Sequence, residues 1–350
     1  KESRLGNPDV TWERAQKTNV GIDINFFRDR LAIVADYFNE DRRDILWSYG
    51  STPGFVGATP PYGNIGKMNN KGYEIQVTWS DHISEFHYTI GAGVSYAINK
   101  IIYQDEPANP YPWMNSTGFS YGQYKGYHTD GFYNNADEVN NRPYITMDGN
   151  KVQPGDIRYI DLNGDGIIDS QDIAPIGYSN LPRYTFNTNL GLEYKGFSLS
   201  ALFTGACDGS MPISSHYMLN PFYMQTGSAQ VFHYEDRWTQ DKADRGIAAK
   251  WPRASLRNED TQNGAMNDLY LQSTDFIRLK NLEVGYTFNG RRLKKIGISS
   301  VKVYLSGNNL YTWSNMLPGY DPEQADSGGA ADGYLYPPTR SYNIGINIQF

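Results

Sequence analysis

One cysteine, Cys207, stands in 350 residues, so the chain can form no internal disulfide and no cysteine-based zinc site. No apolar run reaches the roughly 20 residues that a membrane-crossing helix needs, and mean hydropathy is only −0.60. These absences exclude a helical membrane protein. They leave a β-barrel open, because its strands turn only every second residue toward lipid. Positive charge is in deficit, 31 Lys and Arg against 38 Asp and Glu for a net −7, which argues against nucleic acid as a partner. Catalytic signatures are missing as well. His82, His87, His128, His216 and His233 are dispersed without an HExxH pair, and no Gly-x-Ser-x-Gly, phosphate-binding loop or dinucleotide fingerprint is present. An enzyme is not expected. The chain begins at Lys1 with neither an initiator Met nor a charged-then-apolar leader, and it reads as a piece of something larger.

What the chain has in abundance is tyrosine (28), glycine (35) and two-residue alternation. Val20, Ile22, Ile24 and Phe26 alternate with Asn19, Gly21, Asp23 and Asn25, which puts one set on each face of a strand. The pattern recurs eight more times, beginning at Leu31, Tyr73, Phe86, Tyr184, Phe197, Leu282, Val301 and Tyr342, and the last run continues to Phe350. The predicted class is all-β, an antiparallel sheet of nine strands. The second face carries Asn, Gly, Gln, Glu, Thr and Ser, so it is polar without being strongly charged. That composition alone fits a sandwich or a barrel with a wet interior.

Connection lengths separate the two. They are short at 28–30, 81–85, 195–196 and 291–300 but long at about 41–70, 103–182, 206–274 and 311–340. Short turns at one end and long loops at the other are the sorting of an outer-membrane barrel. Aromatics at strand ends, among them Trp79, Phe86, Tyr96, Tyr184, Tyr194, Phe197, Tyr286, Phe288, Tyr342 and Phe350, would then form girdles at the lipid–water boundaries; ordinary core aromatics are the competing reading. Nine strands do not close a conventional single-chain barrel, so further strands are expected upstream. The long loops are too aromatic for disorder.

DLNGDGIIDSQD (161–172) has the spacing of a calcium loop. Side-chain oxygens fall at Asp161, Asn163, Asp165, Asp169 and Asp172, with Gly166 at the tight turn and a backbone carbonyl at Ile167. The closing ligand is Asp rather than Glu, and GDIRYI before it reads as a strand, so this is no helix-flanked sensor. The expectation is a structural calcium ion stapling loop 103–182; the alternative is an Asp/Asn/Gly-rich turn without metal. Trp47, Tyr49, Trp113, Tyr121, Tyr124, Trp238 and Trp251 are the candidate substrate-binding aromatics, able to stack on sugar rings or peptide side chains or, alternatively, to pack the loops against one another. Two rivals share these features: a secreted, calcium-braced carbohydrate-binding β-sandwich, and a surface glycoside hydrolase, for which no carboxylate pair is legible.

Several ordered motifs resemble the SusC/RagA branch of TonB-dependent outer-membrane transporters of Bacteroidetes. They are NPDVTWERAQKTNVGIDI (7–24), NIGKMNNKGYEIQV (64–77), PGDIRYIDLNGDGIID (154–169), DFIRLKNLEVGYTF (275–288), VYLSGNNLYTW (303–313), GYDPE (319–323) and YPPTRSYNIGINIQF (336–350). The resemblance implies a 22-stranded barrel with an N-terminal plug, of which residues 1–350 would be the last nine strands. Residues 103–182 would be a long extracellular loop carrying the calcium-type turn, a position at which such transporters also have one. It further implies uptake of oligosaccharides or peptides with a SusD-like surface lipoprotein, energised by TonB with ExbB and ExbD through a plug that this chain lacks, in the lipid of a Gram-negative outer membrane.

Overall fold

The computed structural model describes residues 6–52, 59–147, 151–213, 222, 229–255, 261–325 and 335–350; His216 and stretches of all four long connections lie outside them. Nine strands form one sheet: β1 (Arg14–Phe26), β2 (Leu31–Ser48), β3 (Tyr62–Ile83), β4 (Phe86–Tyr103), β5 (Tyr184–Tyr194), β6 (Phe197–Cys207), β7 (Phe276–Phe288), β8 (Ser300–Ser314) and β9 (Ser341–Gln349). Each pairs antiparallel with its neighbours in chain order. All nine expected strands are present.

Register explains why the alternation was so clear. Residues directly opposite one another share a face, and the rows Ile24–Ile33–Val77–Ala92 and Leu192–Leu199–Val284–Leu305–Ile344 run across the sheet as apolar bands. A bulge at Lys280 in β7 keeps both Leu279 and Leu282 on this face, opposite Phe203 and Ala201. No second sheet covers it among the described residues: Ile22 is 55% exposed, Leu305 59% and Ile344 79%. The β-sandwich alternative is therefore corrected, since a sandwich would bury this face against a partner sheet.

Two aromatic rows bound the apolar face. Tyr37, Tyr73, Tyr96 and Tyr184 lie side by side in register, with ring centroids 5.4 Å apart for Tyr73–Tyr96 and 4.6 Å for Tyr96–Tyr184. Phe86, Tyr194, Phe197 and Tyr286 form the other, with Phe197–Tyr286 at 4.6 Å. From Tyr184 to Tyr194 is ten strand steps, about 33 Å along the strand. Tilted by about 40°, that spans ~25 Å, the height of the apolar band of a transmembrane barrel.

Turns at one end are tight. Residues 27–30 join β1 to β2 with Phe27, Arg28 and Asp29 all in the left-handed region, and Lys195–Gly196 (φ 48° and 87°) close β5 onto β6 as a two-residue hairpin. At the other end the connections are 49–61, 104–183, 208–275 and 315–340. The first is much shorter than the expected 41–70, because β2 and β3 keep pairing beyond Tyr37 and Tyr73 through a mixed, largely polar stretch with two register shifts. Alternation stops there while the strand continues.

The most deeply buried apolar residues lie mainly outside the sheet. Tyr133, Ile145, Ile157, Ile168, Phe222 and Tyr270 belong to one cluster drawn from connections 104–183 and 208–275. These two loops thus share a hydrophobic core of their own. No helix among the described residues is long and apolar enough to cross a membrane.

Candidate functional site

The face opposite the apolar one is a polar wall. Its rows read Asp36–Glu74–Ser95–Thr185 and Gln76–Gly93–Asn187–Thr204 across β2 to β6. Such a face is stable against water and presents hydroxyls, amides and a few carboxylates to it. Near the long-connection end it carries two clefts. One, of about 420 Å³, is lined by Glu40, Arg42, Asn70 and Asn99 of the strands and by Tyr121 and Arg183 of the connections. The other, of about 400 Å³, is lined by Thr185, Asn187 and Thr204 together with Pro322 and Glu323.

Pro322 and Glu323 reach the wall through an ion cluster. Arg278 of β7 is 1% exposed; its guanidinium donates to Asp321 at 2.5 Å, to Glu323, and through Nε to Thr312 Oγ1 at 2.8 Å. Lys280 donates to Glu323 at 2.5 Å. A guanidinium this deeply buried needs its carboxylates, because an unpaired buried charge costs several kcal/mol. GYDPE is thus the segment that pins connection 315–340 against the wall: Asp321 caps the Glu323 amide at 2.9 Å and Pro322 starts a single turn. Sequence reasoning quoted the motif without finding its partner. Its signal was there, carboxylates flanking a proline in one connection and Arg278 and Lys280 on a strand two elements earlier.

Connections 104–183 and 208–275 are tied together by buried polar contacts. Asp156, 1% exposed, accepts from Arg253 Nε at 2.6 Å, Asn263 Nδ2 at 2.9 Å and the Gln153 amide at 2.8 Å. Burial pushes its carboxyl above the usual range even though Arg253 pulls the other way. Asp268 accepts from the Thr129 hydroxyl at 2.5 Å and lies 3.2 Å from His128 Nδ1. Closer to the sheet, Glu106 clips the start of connection 104–183. Burial pushes its carboxyl up, but the Thr117 hydroxyl, the Ser116 and Thr117 amides and Gln104 outweigh burial and hold it below the ordinary glutamate range.

The calcium-type turn packs on this loop core. Asp161 accepts the amides of Gly164 (2.7 Å) and Gly166 (2.8 Å), Asn163 that of Asp165 (3.0 Å) and Asp165 that of Ile167 (2.8 Å). Asp169 caps the Gln171 amide at 2.7 Å, and buried Asp172 braces Leu162 (2.8 Å) and Asp169 (2.9 Å). The Tyr127 hydroxyl is pushed up to about 12, first by burial and then by the charges of Asp172 and Asp169. Among the described residues no three acidic, histidine or cysteine side chains converge in a metal cage. Each carboxylate that accepts one or two amides keeps lone pairs for a cation, and the turn's oxygen-only donor set has the hardness calcium prefers.

The seven candidate aromatics do not share one surface. Tyr121 is 57% exposed, lines the larger cleft, and takes the edge of Trp47 at 6.2 Å. The Tyr49 ring lies across Gly63, where a Cβ would come within 2.5 Å of its hydroxyl. Trp113 stacks on Tyr111 at 4.6 Å and donates to the Gln171 carbonyl at 2.8 Å, joining the start of its loop to the calcium-type turn. Tyr124 is half-buried, and burial pushes its hydroxyl up. Trp238 and Trp251 are buried: Trp238 covers Gly155, and Trp251 stacks with Phe222 and Tyr270 at 5.7 and 6.3 Å. Their ring faces are taken up by the protein itself.

Comparison with known proteins points one way. Residues 2–310 match the family model described as TonB dependent receptor-like, beta-barrel. TonB-dependent receptor P3 of Formosa agariphila is 25% identical over 99% of the chain and 35% of its own length. TonB-dependent receptor SusC of Bacteroides thetaiotaomicron is 21% identical over 98% of the chain and 32% of its own length. Among solved structures, the RagAB peptide transporter superposes with a TM-score of 0.72 at 21% identity, covering 99% of the chain and 36% of its counterpart, a likeness of fold. The chain spans about a third of the length of these relatives.

Proposed function

The chain belongs to the TonB-dependent receptor family through its β-barrel, and from that premise we propose that it is part of the wall and outer vestibule of a SusC/RagA-type importer in a Gram-negative outer membrane. The carrying observation is the two-faced sheet: an apolar face left uncovered by the described residues between aromatic rows ten residues apart, backed by a polar face, with the longest connections all at one end. The apolar face meets lipid and the polar face meets the solute. TonB with ExbB and ExbD supplies the energy, acting on the plug of the complete receptor.

The substrate is an oligosaccharide or a peptide, delivered under a SusD-like lipoprotein that closes on the long connections. Trp47, Tyr49 and Tyr121 would meet it; in support, Tyr121 lines the cleft with Asn70, Asn99, Glu40 and Arg42, and Trp47 packs on Tyr121. Trp113 braces connection 104–183 through Tyr111 and Gln171, Tyr124 is half-buried in the same connection, and Trp238 and Trp251 are buried, Trp251 within the loop core. Calcium at Asp161, Asn163, Asp165, the Ile167 carbonyl, Asp169 and Asp172 would neutralise the crowded carboxylates and staple the loop. The test is fractionation followed by uptake. The intact receptor should sediment with outer membranes, need detergent to stay monodisperse, and import labelled glycan or peptide only with an energised inner membrane. A soluble, detergent-independent protein would refute the reading.

A further inference from the structure

At the long-connection end the two faces of the same strands treat their cations differently. On the polar face Lys17 pairs with Glu40 at 3.0 Å, and Arg42 pairs with Glu40 at 2.7 Å and with Glu13. On the opposite face, just past the tyrosine row, lie Arg14, Arg43, Lys67, Lys71 and Lys100, against the carboxylates of Asp41 and Asp44 among the described residues of these strands. Asp44 is taken by Arg14 at 3.4 Å and Asp41 accepts from Asn69 at 2.9 Å. Arg43, Lys71 and Lys100 are exposed and make no ion pair among the described residues, and Lys67 only leans over the Tyr103 ring at 6.0 Å. Arg14 and Arg43 stand directly opposite in register, where like charges are destabilising unless an anion lies between them.

Position identifies that anion. Lys71 is two residues beyond Tyr73 on the outward face, about 7 Å along the strand, and Lys100 is four beyond Tyr96, about 13 Å. Both therefore emerge where the hydrocarbon ends and the headgroup layer begins, with Lys67 and Arg43 further out. The long connections at this end make it the outer leaflet, which in Gram-negative bacteria is built of phosphorylated glycolipid. We propose that Arg43, Lys67, Lys71 and Lys100 form a binding strip for the phosphates of lipopolysaccharide on the lipid-facing side of the barrel. The inference rests on the importer reading above. It assigns the outer face a ligand of its own, separate from anything carried through the lumen.

The experiment uses the intact receptor, wild type and a Lys67→Gln, Lys71→Gln, Lys100→Gln triple variant, with Lys195→Gln, Lys294→Gln, Lys295→Gln at the short-turn end as control. Affinity for phosphorylated and dephosphorylated lipid A is measured in nanodiscs, with inorganic phosphate as competitor. Each headgroup-level lysine is worth roughly fivefold, so the triple variant should lose about a hundredfold for phosphorylated lipid A only, while the control stays within about twofold. An unchanged triple variant overturns the proposal, as does displacement of the lipid by free phosphate in the low-millimolar range, which would mark a simple anion site. A receptor recovered outside the outer membrane overturns the importer reading and this one together. Recovery in that membrane with lipid affinity unchanged overturns this one alone.

Discussion

Ile90 sits in β4 on the apolar face, four residues from Phe86 in one aromatic row and six from Tyr96 in the other, opposite Trp79 and Leu190. It is 47% exposed, so replacing it with arginine creates no clash and breaks no polar contact. On a water-facing surface Ile90→Arg would shift stability by no more than about 0.5 kcal/mol. Near the midplane of a bilayer the same change costs about 2–4 kcal/mol, roughly 30-fold to nearly 1,000-fold in the folding equilibrium. The matched control is Asn189→Arg, at the same height on β5 but on the polar face opposite Gly91, where the cost should be near zero. Urea titrations of the intact receptor refolded into lipid vesicles measure both. Equal effects of the two variants, or a larger effect at Asn189, would refute the assignment of faces and with it the barrel wall.

Three further outcomes follow from the loops. Arg253→Met strands the buried Asp156 carboxylate and should cost about 3–5 kcal/mol of local stability, seen as new protease cleavage in 104–183, whereas adding Asp156→Asn should recover most of it. Asp161→Ala with Asp165→Ala should make that loop protease-sensitive even with calcium present, as a chelator should in the wild type; unchanged sensitivity in both cases removes the calcium staple. Glu106 has its folded pKa held below the unfolded one, so its contribution is complete above the ordinary glutamate range and is lost as pH falls through the lowered value. Amide exchange in 104–120 should quicken over that acid window, and Glu106→Gln should abolish the pH dependence.

The nine strands were legible because each buries or exposes a whole face, and a period of two survives any loop length between strands. Strand length was less legible. β2 and β3 run eleven residues past Tyr37 and Tyr73, where polar stretches such as 39–44 and 69–71 are followed by Ile45, Leu46 and Trp47 across two register shifts, so hydrophobicity carries no period. Among the candidate aromatics, composition could not distinguish Tyr121, which faces a cleft, from Trp251, which stacks in the loop core, because the difference lies in partners such as Phe222 and Tyr270 from distant parts of the chain. The role of GYDPE was hidden for the same reason, since Arg278 lies more than forty residues earlier.

The hydrophobic cluster shared by the two longest connections sets a schedule for assembly. Sheet neighbours such as Tyr194 and Phe197 meet across a two-residue turn, but Thr129 meets Asp268 and Asp156 meets Arg253 only after most of the intervening chain is in place. Contacts of such large sequence separation form slowly. The wall can therefore zip up hairpin by hairpin while the cap above it is still unformed and exposes its aromatics. A chaperone acting on this receptor would have most to protect in that interval, on 104–183 and 208–275 rather than on the strands.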